Sequence, residues 1–188
     1  MGAWSRRDLE RSVTPILTES DFEIITQSPE QTLAVGRRLG ELLRPGDVVC
    51  LQGALGTGKT CLTKGIGAGL KVVGKIVSPT FVYINEYGPK GPGPYLYHVD
   101  LYRVEDALSL LNLGLDDYIY GDGVTVIEWA ERAKDLLPTE HLWVTIQDLG
   151  GQRRCLVFRG IGTHYQSTVA AFQRAIAPER PVKGEEEV

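Results

Sequence analysis

The chain alternates short apolar runs with longer amphipathic stretches, a pattern typical of strands and helices in an α/β domain. FEIIT (residues 22–26) and VVCLQ (residues 48–52) are short, apolar and rich in β-branched residues, so both are predicted strands. Between them, residues 28–31 supply a serine N-cap, a proline at the first helical position and a glutamine at the third. This predicts a helix that runs to about residue 43 and ends at Pro45-Gly46. The positions expected to face inward are Leu33, Val35, Leu39 and Leu42.

The rest of the pattern predicts further strands and helices. The strands are expected within residues 76–87, 95–103, 124–129, 142–147 and 153–160, and the helices over residues 59–70, 105–113 and 164–176. In the first of these strands, Phe81, Tyr83 and Asn85 are expected to share one side. GPKGPGP (residues 88–94) cannot be regular structure and predicts a hairpin-type loop, and Gly150-Gly151 predicts a second close connection.

A glycine-rich motif links the strand at 48–52 to the helix that follows it. GALGTGKT, residues 53–60, fits G-x-x-x-x-G-K-[ST], in which backbone N–H groups wrap phosphate oxygens. Lys59 is expected to reach the β- and γ-phosphates and Thr60 to bind Mg²⁺. A chance match at four fixed positions is expected in well under ~1% of chains of this size. We therefore predict nucleotide contacts from Gly53, Leu55, Gly56, Thr57, Gly58, Lys59, Thr60 and Cys61.

The motif and the order of elements together predict a fold class. Strands and helices mix along the chain, while the two hairpin connections require antiparallel strands in the sheet. The expected architecture is an α/β, P-loop NTPase-like three-layer fold with a mixed, mainly parallel sheet.

Hydrolysis or transfer also needs carboxylates near the metal and the attacking atom. Such groups are expected at the carboxyl ends of buried strands, where α/β ligand sites form. Glu128 ends VTVIE and would hold Mg²⁺, and Asp100 ends YLYHVD and would orient the attacking water. Each acid has the alternative role of capping the structure that follows it. Thr80, in Ser-Pro-Thr, is a candidate for contact with the γ-phosphate or Mg²⁺, although such a tripeptide is also a common turn.

Three further observations bear on the candidate site. No N-K-x-D motif for reading guanine is present, which favours adenine and hence ATP. Arg103 follows Asp-Leu-Tyr near a predicted strand end, where it would stabilise phosphate or form a salt bridge. Trp129 directly follows Glu128 and is either a residue of the candidate site or an ordinary core residue.

Composition excludes several classes of protein. With 43% hydrophobic and 23% charged residues, the 188-residue chain has the composition of a soluble globular protein. A net charge of −4 argues against a broad, sequence-independent grip on nucleic acid. There is no apolar run of 18 residues, so no membrane association is predicted. Three cysteines without CxxC spacing indicate a reducing cytoplasm, with Cys50 and Cys61 as small buried side chains. We expect one domain over residues 19–177 between a flexible start, 1–18, and a flexible acidic tail, 178–188.

Four motifs in a fixed order resemble the TsaE family, the small P-loop ATPases of bacterial tRNA threonylcarbamoyladenosine synthesis. They are GALGTGKT (53–60), SPTF (78–81), HVDLYR (98–103) and IEW (127–129), and the similarity extends from about residue 22 to 160. The family often has aspartate where this chain has Ala54, which removes a polar group but no backbone phosphate donor.

The resemblance implies ATP hydrolysis that is weak in isolation and useful when docked on the TsaD–TsaB pair, with tRNA engaged only through that complex. It also implies roles for residues: Thr60 and Glu128 as Mg²⁺ ligands, Lys59 as the phosphate lysine, and Asp100 as essential to hydrolysis. Residues 28–32, which include Glu30, and residues 151–153, which include Arg153, would lie near the adenine. The residues themselves leave two alternatives open: a small-molecule kinase and a nucleotide-switched binding module.

Overall fold

In a computed structural model, residues 21–104 and 113–176 are described. Within them, the strands are Phe22–Thr26 (β1), Val48–Gln52 (β2), Ile84–Tyr87 (β3), Leu96–Asp100 (β4), Val124–Glu128 (β5), His141–Asp148 (β6) and Arg154–Ile161 (β7). The helices are Pro29–Gly40 (α1), Lys59–Gly69 (α2), Leu115–Ile119 (α3) and Thr163–Ile176 (α4), with a 3₁₀ segment at Ala130–Leu136. The predicted flexible ends and the predicted helix over 105–113, apart from its last residue, lie outside the described residues.

All seven strands of the described residues form one sheet in the order β1-β7-β6-β2-β5-β4-β3. The central strands β6, β2, β5 and β4 are parallel neighbours. β7 and β3 run against them, and β1 is antiparallel to β7 and so runs with the central set. Five strands thus share one direction, and the prediction of a mixed, mainly parallel sheet is confirmed.

The two faces of β2 belong to different halves of the core, because successive side chains of a strand point to opposite sides. Val49 and Leu51 pack in a cluster with residues of α1, α2 and α4. Val48 and Cys50 pack in a second cluster with α3 and the 3₁₀ segment. Helices therefore cover both faces of the sheet, as the three-layer prediction requires.

The capping signal at the start of α1 is confirmed. The Ser28 hydroxyl accepts a hydrogen bond from the backbone N–H of Gln31, and the Gln31 side chain accepts one from Gln27. The end of α1 differs from the prediction: it lies at Gly40, because the chain tightens into a turn in which Leu42 donates to the carbonyl of Leu39.

Two further predictions of local structure are wrong. Leu33 is 39% exposed, because the face of α1 that packs inward centres on Thr32, Gly36 and Gly40. Phe81 is 79% exposed and lies outside β3, because residues 79–83 form a turn closed by hydrogen bonds to the carbonyl of Pro79. The alternation expected for Phe81, Tyr83 and Asn85 therefore does not exist.

Helices α1 and α2 cross at very short range because glycines line the contact. A Cβ atom at Gly36 would lie 2.4 Å from the Leu62 carbonyl oxygen, and one at Gly65 would lie 2.3 Å from the Leu33 carbonyl oxygen. Gly40 and Gly69 are equally tight against backbone of the opposite helix. This contact places the turn before α1 next to the start of α2. The Cys61 thiol there donates a hydrogen bond to the Pro29 carbonyl at 3.2 Å.

Replacing Gly65 by alanine is expected to lower the free energy of unfolding by about 1–3 kcal/mol through overpacking of this crossing. Without the clash, alanine would instead stabilise the helix by about 1 kcal/mol, so the sign of the change is diagnostic. Chemical denaturation would measure it. Gly93→Ala, in a loop where the nearest atom to the new Cβ is 3.4 Å away, is the control. A Gly65→Ala protein as stable as the wild type would mean that the helices are farther apart.

Candidate nucleotide-binding site

The glycine-rich loop lies at the carboxyl end of β2, beside the carboxyl ends of β4 and β5. Its first glycine, Gly53, passes so close to β6 that a Cβ atom there would lie 2.5 Å from the Ile146 carbonyl oxygen. Gly58, with φ of 106°, forms the left-handed junction from which α2 begins. The loop thus delivers the positive end of α2 to the sheet edge, where such helix ends favour anions.

Lys59 folds back over the loop, and its ammonium group lies at the centre of the site. Nζ donates to the carbonyls of Gly53 (2.7 Å) and Ala54 (2.9 Å) and lies 3.8 Å from the centroid of the Trp129 ring. Burial lowers the pKa of Lys59, while the negative charges of Glu128, Glu131 and Asp100 act in the opposite direction. Within the described residues no carboxylate pairs with this ammonium, so its charge is available to a phosphate.

Thr60 and Glu128, both candidate Mg²⁺ ligands, contact each other directly. The Thr60 hydroxyl donates to Glu128 Oε2 at 3.1 Å, and the Glu128 side chain is buried. No backbone N–H of the described residues bonds to this carboxylate, which argues against the capping alternative for Glu128.

Asp100 stands opposite Glu128 in the register between β4 and β5. Its Oδ2 accepts hydrogen bonds from the hydroxyls of Ser78 (2.6 Å) and Thr80 (2.7 Å). Its Oδ1 accepts from the backbone N–H of Tyr102 at 2.9 Å, so Asp100 also caps the turn after β4. The capping role considered for this acid is therefore observed, and the carboxylate also faces the cleft beside Glu128.

These groups line one cleft of about 350 Å³. Its predicted members are Leu55, Gly56, Gly58, Lys59, Thr60, Thr80, Asp100 and Glu128, and its other lining residues are Ser78, Tyr102 and Trp129. Trp129 has φ of 60°, which ends β5 and turns the indole across the cleft towards Lys59. Two features of the sequence pointed to it, its place directly after the strand-ending acid and its membership of the IEW motif.

A smaller cavity of about 130 Å³ continues on the other side of the loop, where the base is expected. It is lined by Pro29, Thr32, Gly56, Thr57, Gly58, Cys61, Gly151, Gln152 and Arg154. The structure therefore brings the turn before α1 and the β6–β7 connection to the same end of the glycine-rich loop. Cys61 is only partly buried, unlike Cys50, and burial raises the pKa of its thiol.

Two predicted residues lie outside this cavity. Glu30 is exposed on the first turn of α1, and Arg153 is exposed with its guanidinium bonded to the Leu149 carbonyl. The neighbouring Arg154 is the arginine that reaches the loop: it donates to the carbonyls of Thr57 (3.0 Å) and Gly56 (3.4 Å) and pairs with Asp148. Sequence reasoning missed it because two adjacent arginines at a turn carry no sign of which one points inward.

A third, open cleft of about 580 Å³ lies beside the first and is lined by Tyr83, Tyr102, Arg103 and Arg132. The Arg103 guanidinium lies 4.3 Å from the centroid of the Phe81 ring, and among the described residues it has no acidic partner. Within residues 21–104 and 113–176, the guanidinium therefore contacts an aromatic ring and forms no ion pair. Arg132 donates to the Val104 carbonyl at 2.8 Å.

In the part of the chain that the structure describes, no group of three or more His, Cys, Asp or Glu side chains is placed to hold a metal ion. No helix of residues 21–104 and 113–176 is long and apolar enough to cross a bilayer.

Comparison with known proteins identifies the family. A family model described as threonylcarbamoyl adenosine biosynthesis protein TsaE matches residues 26–156. The tRNA threonylcarbamoyladenosine biosynthesis protein TsaE of Bacillus subtilis is 42% identical over 149 residues, covering 79% of this chain and 92% of the relative. The protein of the same name from Streptomyces coelicolor is 41% identical, covering 70% and 91%. The crystal structure of Bacillus subtilis YdiB superposes with a TM-score of 0.71 at 34% identity, covering 82% of this chain and 95% of that one. The chain belongs to the TsaE family.

Proposed function

We propose that this protein binds ATP with Mg²⁺ and hydrolyses it in the cytoplasm, as the ATPase subunit that acts with TsaD and TsaB. The hydrolysis supports transfer of threonylcarbamoyl to the adenosine beside the anticodon of tRNA, and tRNA is engaged through the complex. The names of the relatives support the pathway. The observation that carries the activity is the convergence of Lys59, the Thr60–Glu128 pair and Asp100 on one cleft at the sheet edge.

The residues present fit Mg²⁺, which prefers hard oxygen ligands and keeps several waters and substrate phosphates in its shell. The Thr60 hydroxyl oxygen and Glu128 Oε2 are 3.1 Å apart. Thr60 and Glu128 would therefore be the protein ligands of the ion, since both offer the hard oxygen that Mg²⁺ prefers. Bound there, the ion would neutralise charge on the β- and γ-phosphates. A site that relies on phosphates and water is also consistent with the lack of a larger acidic cluster among the described residues.

Hydrolysis requires a water whose oxygen bonds to the γ-phosphorus while the bond to the β–γ bridging oxygen breaks, which releases ADP, inorganic phosphate and a proton. Asp100 is the group proposed to orient that water, by accepting its hydrogen in place of one of the two hydroxyls it now holds. Thr80 would then be free to turn towards the γ-phosphate, as a switch-loop threonine does. Lys59 would exchange its bonds to Gly53 and Ala54 for phosphate oxygens.

Adenine is the proposed base, in the cavity between the turn before α1 and the β6–β7 connection. Its lining joins Pro29 and Thr32 to Gly151 and Gln152, which supports the expectation that residues 28–32 and 151–153 lie near the base. Glu30 and Arg153 would reach it only after a change of side-chain conformation, whereas Arg154 holds the loop on which the phosphates would lie.

A small-molecule kinase is the second candidate, and one observation favours it. The open cleft lined by Arg103 and Arg132 adjoins the ATP cleft through Tyr102, and two arginines are what an anionic phosphate acceptor would need.

Measuring ATP hydrolysis by the pure protein, with and without a TsaD–TsaB pair, separates these candidates. Slow turnover that rises several-fold with the pair is the expected result. The Lys59→Ala protein mixed with the same TsaD–TsaB pair measures the background rate of ATP hydrolysis. Turnover that ignores the pair and rises with a small phosphate acceptor would replace the proposal by the kinase. Full threonylcarbamoyl transfer by a variant that binds but does not hydrolyse ATP would favour a nucleotide-switched module.

A further inference from the structure

A buried histidine stands directly behind the proposed metal carboxylate. His98 is fully buried in β4, two residues before Asp100, so both side chains lie on the same face of the sheet. Its Nε2 is 2.7 Å from Glu128 Oε1, across the parallel pair of β4 and β5. The function proposed above gives His98 no role.

The hydrogen-bond pattern assigns the proton of His98 to Nε2. A carboxylate oxygen only accepts, so the ring nitrogen that faces Glu128 must be the donor. The other nitrogen, Nδ1, is buried and has no partner within the described residues. The bond from Nε2–H to Glu128 is therefore the one hydrogen bond of this ring within the described residues.

His98 and Thr60 hold the two oxygens of Glu128 from opposite sides. Oε1 accepts from His98 and Oε2 accepts from Thr60, so the rotation of the carboxylate is fixed with Oε2 towards the glycine-rich loop. When Thr60 and Oε2 turn to Mg²⁺, the His98 bond is the one that remains to keep the carboxylate in place. Ligating carboxylates commonly depend on such an outer hydrogen bond for orientation and affinity.

We propose that His98 is a positioning residue that aims Glu128 Oε2 at the Mg²⁺ of bound nucleotide. The inference rests on the proposed function, because it takes Glu128 as the Mg²⁺ ligand. The competing explanation is that His98 only fills the core. Leucine would fill that space without a buried nitrogen that lacks a partner, so the Nε2–H donor is the property of histidine that the site uses.

This role for His98 explains why it lies two residues before Asp100 in β4. Because alternate residues of a strand share a face, histidine–x–aspartate places one group behind the metal carboxylate and one beside the attacking water. The parallel register sets Asp100 opposite Glu128 and His98 one step behind, within reach of the far carboxylate oxygen.

The test is the affinity for a non-hydrolysable ATP analogue, measured by calorimetry with excess Mg²⁺ and with EDTA, in the wild type, His98→Leu, His98→Gln and Glu128→Gln. The gain in affinity due to Mg²⁺ is expected to fall about 10–100-fold in His98→Leu. Affinity in EDTA should stay near the wild-type value. Glutamine can place an amide N–H where Nε2–H was, so His98→Gln should recover most of the Mg²⁺ effect.

His141→Leu is the matched control, since it removes another buried histidine at the start of β6, where Nδ1 bonds to the Pro138 carbonyl. It should leave the Mg²⁺ effect intact. If His98→Leu does not fold, His98→Asn takes its place, because the shorter amide cannot reach Glu128.

The outcomes separate the inference from the function on which it rests. If Mg²⁺ does not raise the affinity of the wild type for the ATP analogue, the proposed metal role of Glu128 itself is wrong. If the wild type gains and Glu128→Gln does not, a His98→Leu protein with the full Mg²⁺ effect would overturn the positioning role. Equal losses with Mg²⁺ and with EDTA, or no recovery by glutamine, would also overturn it in favour of a purely structural histidine.

Discussion

Replacing Lys59 by alanine is expected to weaken ATP binding by at least about 100-fold. Two charge-assisted hydrogen bonds to phosphate, at about 1.5–3 kcal/mol each, would be lost, and every 1.4 kcal/mol is a factor of ten. Calorimetric titration with ATP and Mg²⁺ measures the change. The variant should remain folded, because Lys59 pairs with loop carbonyls and has no ion-pair partner among the described residues.

Lys90→Ala is the matched control for this experiment. Lys90 is an exposed lysine in the loop between β3 and β4. This loop leads into the amino end of β4, whereas the candidate site lies at the carboxyl end of that strand. Its removal should leave ATP affinity unchanged. Lysine loses its positive charge as pH rises through its pKa, and burial lowers the pKa of Lys59. The ATP affinity of the wild type should therefore fall as pH is raised, and the fall should begin at a lower pH than for an ordinary lysine. Unchanged ATP affinity in Lys59→Ala would refute the assignment of the loop as a phosphate cradle.

Asp100→Asn is expected to bind ATP within a few-fold of the wild type and to lose at least about 100-fold in turnover. Positioned acid–base groups contribute about 10²–10⁴-fold, and the amide loses the negative charge that would orient and polarise water. The amide has the size of the carboxylate and still offers an oxygen to Ser78 or Thr80. Binding by calorimetry and phosphate release under saturating ATP, in the presence of the partner pair, separate the two effects.

Asp116→Asn controls for the removal of one negative charge, since Asp116 is exposed in the first turn of α3. It should hydrolyse ATP at the wild-type rate. Normal hydrolysis by Asp100→Asn would move the catalytic role to another group. A parallel loss of ATP binding would mean that Asp100 mainly holds the turn at Tyr102 and the Ser78–Thr80 segment together.

The sequence by itself determined the features that depend on near neighbours in the chain. The glycine-rich loop needs its residues at fixed spacing between a strand and a helix, so a local pattern identifies it. Asp100 and Glu128 each end an apolar run, and strand ends meet at one edge of a parallel sheet, so their convergence was predictable. The confirmed cap at Ser28 is local for the same reason.

The tertiary structure decided what depends on strands and helices that are distant in sequence. The bond between His98 and Glu128 exists because β4 and β5 are neighbours, an order that side-chain period does not encode. The choice of Arg154 over Arg153 depends on where β7 begins. Leu33 is displaced from the core by glycines of α1 that face glycines of α2. The periodicity of a strand or helix shows which of its residues share a face. Only packing against an element distant in sequence decides which face is buried and what that face contacts.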